Sequence, residues 1–193
     1  YREAHPDTPE VEMDSVIGRV GGKALLTIHF NNCGLLLAFL RDANTSQSVI
    51  DVFNAQEELL GTAAFKKLFP VILTDNGSEF SNPNALEESR SGGGRRTRIF
   101  YCDPYASWQK PHVENNHRNL RKIFPKGESM DNFTQEDVSL ALSHINSMAR
   151  ESLNDRPAVE LFEAIYGKKI IEKWGIRLVP PNEVRMTPKL IAK

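Results

Sequence analysis

Val71-Ile72-Leu73-Thr74-Asp75-Asn76-Gly77-Ser78-Glu79-Phe80 is an apolar run that breaks off at a carboxylate. A short apolar run bounded by a turn signal reads as a buried strand, and Asp75 stands at its C-terminal end. In open α/β sheets, loops leaving that end converge on a crevice where ligands collect. Asn-Gly is also the commonest hairpin turn, so the stretch admits two readings, a site and a plain turn. The rest of the chain decides between them.

Upstream, Glu10–Ile17 reads as a first strand, Gly18 with Gly21-Gly22 as a loose turn, and Lys23–Phe30 as a second strand. Asn31-Asn32-Cys33-Gly34 turns the chain into a third apolar strand, Leu35–Leu40, completing an antiparallel meander. Thr45 caps a helix to about Leu60, with Val49, Val52, Phe53, Leu59 and Leu60 as its apolar stripe. Helical character resumes over Ala63–Phe69 until Pro70. Three antiparallel strands, a helix and a returning strand make the order of a ribonuclease-H-like sheet, with strand four parallel to strand one. That order sets Asp75 beside Asp14. A carboxylate inside an apolar strand needs a partner or a metal. By alternation, though, Glu12 and Asp14 share one face while Val11, Met13 and Ser15 share the other, so a half-exposed strand explains Asp14 equally well.

Downstream of the flexible Ser91-Gly92-Gly93-Gly94, Thr97–Cys102 reads as a fifth strand and Asp103–Lys110, with Pro104, Tyr105 and Trp108, as a loop. Pro111 suits the first turn of a helix that runs to about Phe124, where Pro125-Lys126-Gly127 stops it. Val113, Leu120, Ile123 and Phe124 form its apolar side. Glu114, Arg118 and Arg121, at i, i+4 and i+7, share another face. Thr134 with Asp137 makes a capping box for a helix to about Leu153, buried through Ala141, Leu142, Ile145, Met148 and Ala149. A further helix spans Val159–Tyr166, and Lys168–Lys193 reads as a tail that packs on something or links to it. The expectation is an α/β fold: a ribonuclease-H-like mixed five-stranded sheet flanked by helices, with a C-terminal helical extension. Residues 1–9 are expected to be a linker or arm, 10–153 the core, and 154–193 the terminal helix and tail.

A chain of 193 residues supports one good core. Its hydrophobic fraction of 40% and charged fraction of 25% are those of an ordinary globular protein. No apolar run is long enough to span a bilayer and no signal peptide opens the chain. The first residue, Tyr1, is not Met, as expected of a piece of something longer. Cys33 and Cys102 lack metal-ligand spacing and suit buried free thiols in a reducing cytoplasm. The net charge of −1 conceals an uneven distribution: residues 1–89 carry 6 basic and 13 acidic side chains, 90–126 carry 9 and 2, and 127–193 carry 9 and 10. The middle segment is thus a basic block beside an acidic half, the pattern of a metal site next to a phosphate track or simply of a solvated face.

Asp14, Asp75 and Glu114 are the candidate constellation, because a ribonuclease-H-like sheet converges these positions. Clustered carboxylates repel unless a cation neutralises them, and hard oxygen donors suit Mg²⁺ or Mn²⁺. Two such ions about 3.5–4 Å apart serve in-line phosphoryl displacement. Arg95, Arg96, Arg98, Lys110, Arg118, Arg121 and Lys122 are the candidate phosphate contacts, and Trp108 a candidate for stacking on bases. Packing explains the tryptophan equally well. His112 and His117 are read as phosphate contacts or solvated helix residues, and Glu12 and Glu79 as supporting or solvent-facing rather than ligands.

Three blocks resemble the catalytic blocks of bacterial insertion-sequence transposases, most closely the family numbered thirty, within the retroviral-integrase superfamily. They are Val11-Glu12-Met13-Asp14-Ser15-Val16-Ile17-Gly18, Leu73-Thr74-Asp75-Asn76-Gly77-Ser78-Glu79-Phe80, and Ser107-Trp108-Gln109 through Glu114-Asn115, Leu120-Arg121 and Phe124-Pro125-Lys126-Gly127. Leu153-Asn154-Asp155-Arg156-Pro157 resembles a block that follows the catalytic Glu in that family. His117 and Arg118 depart from a usual Asn-Gly, and Val11 from a usual Trp. The resemblance implies a transposase catalytic domain that cleaves DNA and transfers strands, with Asp14, Asp75 and Glu114 as both catalytic and metal-binding residues. It also implies two Mg²⁺ or Mn²⁺ ions, element-end and target DNA as partners, a homodimer or higher oligomer in the synaptic complex, and a bacterial cytoplasmic, nucleoid-associated setting. End recognition in that family usually lies in a helix-turn-helix region ahead of the core, and the residues before Asp14 are too few to form one. A nuclease that never joins strands, and a non-catalytic DNA-binding module, are the alternatives.

Overall fold

A computed structural model of the chain describes residues 1, 3–103 and 106–192. Pro104 and Tyr105 of the expected loop lie outside the described residues. One mixed sheet has the order β3-β2-β1-β4-β5, built from β1 Glu10–Ile17, β2 Ala24–Phe30, β3 Leu36–Arg41, β4 Val71–Thr74 and β5 Arg98–Tyr101. β1 and β2 pair antiparallel, as do β2 and β3, whereas β4 runs parallel to both β1 and β5. The Asn-Gly after β4 therefore makes no hairpin. Chain reversal between parallel neighbours needs a long crossover, and here a short 3-10 turn, Ser78–Phe80, and helix α3, Pro83–Glu87, carry the chain to β5.

β2, between β1 and β3, is buried along its whole length, as a strand covered on both faces must be. Helix α1, Ser46–Leu60, starts at Thr45, whose hydroxyl accepts from the Ser48 amide in a capping box. Gly61, at φ 81, ends α1 and lets α2, Thr62–Leu68, start at once. Helix α4, Pro111–Ile123, packs on β1 and β2, and α5, Gln135–Ser147, packs on β3 and α4. An unpaired strand edge is a template for aggregation, and α5 removes it. Asn146 accepts from the Leu36 amide and donates to its carbonyl, both at 2.8 Å. Gln135 does likewise with the Leu40 amide and the Ala38 carbonyl.

The expected continuation of α5 to Leu153 is corrected. The helix stops at Ser147, and Met148 is extended. Ala149–Arg150, strand β6, pairs instead with Arg156–Pro157, strand β7. Asn154 and Asp155 both take left-handed backbone between them, at φ 54 and 56, a conformation that short polar side chains tolerate better than others. Arg150 donates to the Gly34 carbonyl at 2.8 Å, which fixes the hairpin to the turn between β2 and β3.

Helix α6, Ala158–Tyr166, and the short α7, Lys168–Glu172, follow. Phe162 meets Phe30 edge-on at 5.3 Å, and Trp174 donates from its indole to Gln56. Phe162, Ile171, Trp174, Ile176 and Ile191 lie in the same hydrophobic cluster as Val11, Phe30 and Phe53. The core thus runs across residue 153. Cys33 and Cys102 are free and buried, and burial pushes the Cys33 thiol up to about 11. Among the described residues no helix is long and apolar enough to cross a membrane.

Candidate active site

The parallel pairing of β1 with β4 sets Glu12 opposite Leu73. Carried two residues on, that register brings Asp14 level with Asp75, just past the end of β4. The two carboxylates face one ammonium. Lys110 Nζ stands 3.0 Å from Asp75 Oδ2 and 3.4 Å from Asp14 Oδ2, and it donates to the Met13 carbonyl at 3.2 Å. The Lys110 side chain is 3% exposed, against 21% for Asp14 and 46% for Asp75, so the cation is buried behind acids that open onto a cavity. That cavity, of about 910 Å³, is lined by Asp14, Asp75, Glu79, Asp103, Lys110 and Glu114 among others. Burial pushes the Asp14 carboxyl above its ordinary value, with Lys110 opposing the shift and Asp75 adding to it.

The turn after Asp75 is shaped for carboxylates. Asp75 Oδ1 accepts from the Gly77 amide at 3.0 Å, and Asn76 donates to the Cys102 carbonyl at 2.9 Å. A Cβ on residue 77 would stand 2.7 Å from Glu79 Oε2 and 3.0 Å from Asp75 Oδ1, so only glycine leaves both oxygens in place. Glu79, buried, accepts from Asn44, which in turn accepts from Arg41. Arg41 also donates to Ser15, next to Asp14.

Glu114 reaches the same cavity from α4, and three ties fix that helix to β1 and β2. The residue before α4 is Lys110, which gives no side-chain cap. The cap comes from the sheet: Glu12 Oε2 accepts from the His112 and Val113 amides at 3.0 and 2.8 Å. A buried carboxylate at a helix N-terminus satisfies orphan donors and meets the positive end of the helix dipole. One turn on, His117 Nε2 lies 2.8 Å from the Thr27 hydroxyl, which donates to the Asp14 carbonyl at 3.0 Å. With the threonine proton so committed, His117 must be the donor. Burial drives this imidazole down to about 4, with Arg121 and Lys110 adding to the effect, so it is neutral near pH 7. The third tie is Arg121, which donates to the Ile17 carbonyl at 2.9 Å.

Among the described residues no three of His, Cys, Asp and Glu stand close enough to hold one ion together. The structure brings Asp14 and Asp75 into one pair and places Glu114 on the same cavity. The donor set fits hard divalent cations, because carboxylate oxygens already converge on a positive charge.

The basic candidates divide. Arg96 is corrected: its guanidinium is fully buried against Glu57 at 2.9 Å, where no phosphate reaches it. Arg98 pairs with Val71, at the opposite end of the sheet from Asp75, and lies over the Tyr1 ring. Arg95, three residues before β5, pairs with Glu87. Lys110, expected as a phosphate contact, is buried here as the partner of the acidic pair. Arg121 is half-buried on its carbonyl, whereas Arg118 and Lys122 are exposed on α4. Trp108 is exposed and lines a second cavity, with His112, Glu12 and Phe100, rather than the acidic one. Val11, in place of a tryptophan, is wholly buried.

Sequence reasoning missed Glu12 as a cap and Lys110 as a counter-ion. A signal for the first was present: a helix opening on Lys-Pro without Ser, Thr, Asp or Asn must find its cap elsewhere, and Glu12 shares a strand face with Asp14.

The fold around this acid-lined crevice is ribonuclease-H-like. The relatives by sequence are transposases and an integrase. The chain is 23% identical over 162 residues to the transposase of insertion sequence IS4351 from Bacteroides fragilis, covering 84% of the chain and 47% of that protein. It is 26% identical over 155 residues to a putative integrase, ORF3, of Spiroplasma virus SpV1-R8A2 B, covering 79% of the chain and 45% of the relative. The transposase InsI of IS30A from Escherichia coli K12 is 29% identical over 89 residues, 46% of this chain and 22% of InsI. Among solved structures, the catalytic core domain of BIV integrase superposes with a TM-score of 0.56 at 17% identity, covering 84% of this chain and 98% of that one. A chain of the simian T-cell lymphotropic virus intasome in complex with PP2A regulatory subunit B56 gamma gives 0.57, also at 17%, covering 80% of this chain and 54% of that one. No family model matches. The homologues are thus insertion-sequence transposases, family thirty among them, and the chain spans about half the length of the first two relatives.

Proposed function

We propose that this chain is the catalytic core of a DNA transposase that cleaves element ends and joins them to target DNA, with Asp14, Asp75 and Glu114 as its acidic triad. The observation that carries the reading is the pairing of Asp14 and Asp75 on a single buried ammonium, in a cavity that Glu114 also lines. Mg²⁺ or Mn²⁺ at these carboxylates would supply activation of the attacking oxygen and stabilisation of the leaving oxygen. Asp14, on the rigid central sheet, and Asp75, on the turn that Gly77 permits, are the residues to hold the ions, joined by Glu114 from α4. Glu12, Thr27 and His117 keep α4 at its place against β1, which fixes the span between Glu114 and the aspartates. Arg118 and Lys122 face solvent on that helix and are suited to DNA phosphates. In this reading the nucleophile is water or a DNA 3′-hydroxyl, so no covalent enzyme intermediate is implied. In the whole protein the core works as a dimer or higher oligomer on DNA.

The test is cleavage and strand transfer on duplexes carrying the element's terminal repeat, with Asp14→Asn, Asp75→Asn and Glu114→Gln beside wild type. Loss of both reactions with DNA binding retained is the expected result. Cleavage with no joining of pre-cut ends would make the chain a nuclease. Full activity of all three variants would overturn the triad.

A further inference from the structure

We infer that Lys110 is the resident counter-ion of the acidic pair: without metal its ammonium holds Asp14 and Asp75 together, and divalent ions enter by expelling it towards the cavity mouth, where it meets substrate phosphate. The inference rests on the metal-binding reading of these carboxylates.

Three features carry it. The first is the seat of the ammonium: Lys110 Nζ donates to the Met13 carbonyl and to Asp75 Oδ2 and pairs with Asp14 Oδ2 at 3.4 Å, three oxygens for its three N–H groups. The ammonium is therefore seated, not passing by. The second is charge. One cation faces two carboxylates, and Glu114 lines the same cavity, so the site remains net negative and attracts a more highly charged ion. The third is exclusion. A divalent ion would take the same Oδ2 oxygens that Lys110 occupies, and like charges a few ångströms apart in a partly dry cavity repel strongly. The two cations cannot share the pair.

Lysine suits this exchange. Its charge is a compact point on a flexible four-carbon stem, whereas a planar guanidinium in a fixed fork would be held by several bonds at once. Lys110 is also the residue immediately before α4, whose first amides at His112 and Val113 Glu12 caps, so the chain at its backbone is held while the stem can turn once the carboxylates release the ammonium. The way out lies past Asp14 and Asp75, which are the open side of the site. An ammonium displaced there gains DNA phosphate as its partner. Metal and DNA should accordingly strengthen each other's binding, reciprocally as linkage requires.

The experiment is calorimetric titration of Mn²⁺ into wild type, Lys110→Met and Asp14→Asn, each with and without a short duplex, alongside melting in EDTA and in Mn²⁺. Without DNA, Lys110→Met should bind Mn²⁺ at least about tenfold tighter than wild type. It should melt lower than wild type in EDTA and gain more from Mn²⁺, and DNA should tighten Mn²⁺ binding more for wild type than for the variant. Binding that depends on Asp14 but is equal or weaker in Lys110→Met overturns the counter-ion role and leaves the metal site standing. Absence of any Asp14-dependent binding, with DNA present, overturns the metal reading and this inference together. A measurement on wild type guards against a variant that misfolds: the Lys110 ammonium proton resonance, protected from exchange by burial, should lose its protection at Mg²⁺ saturation. A resonance unchanged at saturation overturns the proposal.

Discussion

Arg96 and Lys110 are both buried cations, and they are built differently. Arg96 is closed on every side. It donates to the Leu86 and Ala85 carbonyls, to Asn54 and to Glu57, and its guanidinium lies 5.6 Å from the ring centres of both Phe53 and Phe65. Its one carboxylate, Glu57, is 6% exposed, and the hydroxyls of Ser89 and Thr62 with Arg96 hold it below the ordinary value against the pull of burial. Charge is balanced and the pair is shielded from solvent. Lys110 is the opposite case, a buried cation beneath two carboxylates that look out on a cavity, with more negative than positive charge. A balanced and sealed ion pair is structural. An unbalanced one with an open side is a place for something to bind.

The largest way to test that contrast is to remove each cation. Arg96→Met should cost about 3–5 kcal/mol in urea unfolding, because Glu57 and several carbonyls are left buried without a partner. Lys110→Met should cost about 1 kcal/mol or less in the same assay, since Asp14 and Asp75 keep water on one side. Equal losses would erase the distinction.

A second measurement concerns the neutral imidazole that ties the open site together. His117 and His29 are both driven down by burial to about 4, from an ordinary 6.5. Between those values the unfolded chain binds more protons than the native one, so stability is intact above 6.5 and is lost as pH falls towards 4. Each imidazole should account for about 2 kcal/mol lost by pH 5, read from urea unfolding at pH 7.5 and 5. Glu12 and Asp14, both raised, act in the opposite sense in the carboxylate range. His117→Gln should remove about half of the loss. A variant with the full wild-type pH dependence would mean that His117 is not the neutral donor to Thr27.

The cap from the sheet gives a smaller effect. Glu12→Gln keeps the shape and removes the charge facing the start of α4, and should cost about 1.5 kcal/mol. If the cap positions Glu114, Mn²⁺ affinity should fall with it, whereas Arg96→Met should leave the affinity unchanged wherever the protein is folded. The smallest expected effects are on DNA. Arg118→Ala and Lys122→Ala should each reduce the slope of log affinity against log salt by about 0.9. Arg95→Ala and Arg98→Ala, at the far end of the sheet, should leave the slope alone. A slope that responds to Arg95 or Arg98 would place the DNA track elsewhere.

Much of the architecture was legible because hydrophobic periodicity and turn chemistry are local. The meander, the returning strand and the helix caps at Thr45 and Thr134 depend on neighbours within a few residues. The end of α5 was not legible: residues 148–153 carry apolar side chains at helical spacing, and only pairing with Arg156–Pro157 and the anchor on Gly34 draws them into a hairpin. The acidic positions could be picked out because carboxylates inside or ending apolar strands are costly without a purpose.

What the sequence by itself determined is the order of strands and helices and, through that order, the meeting of Asp14 with Asp75. What it could not determine is the direction in which each basic side chain turns. Arg95, Arg96 and Arg98 stand in the same charged stretch of chain as Lys110 and Arg118, yet they lead into a parallel strand whose other end faces the acids. Sequence proximity fixes charge density but not which end of a sheet bears it. Only the tertiary structure separates the arginine sealed beneath α1 from the lysine held between two aspartates, because burial and partner choice are set by residues dozens of positions away.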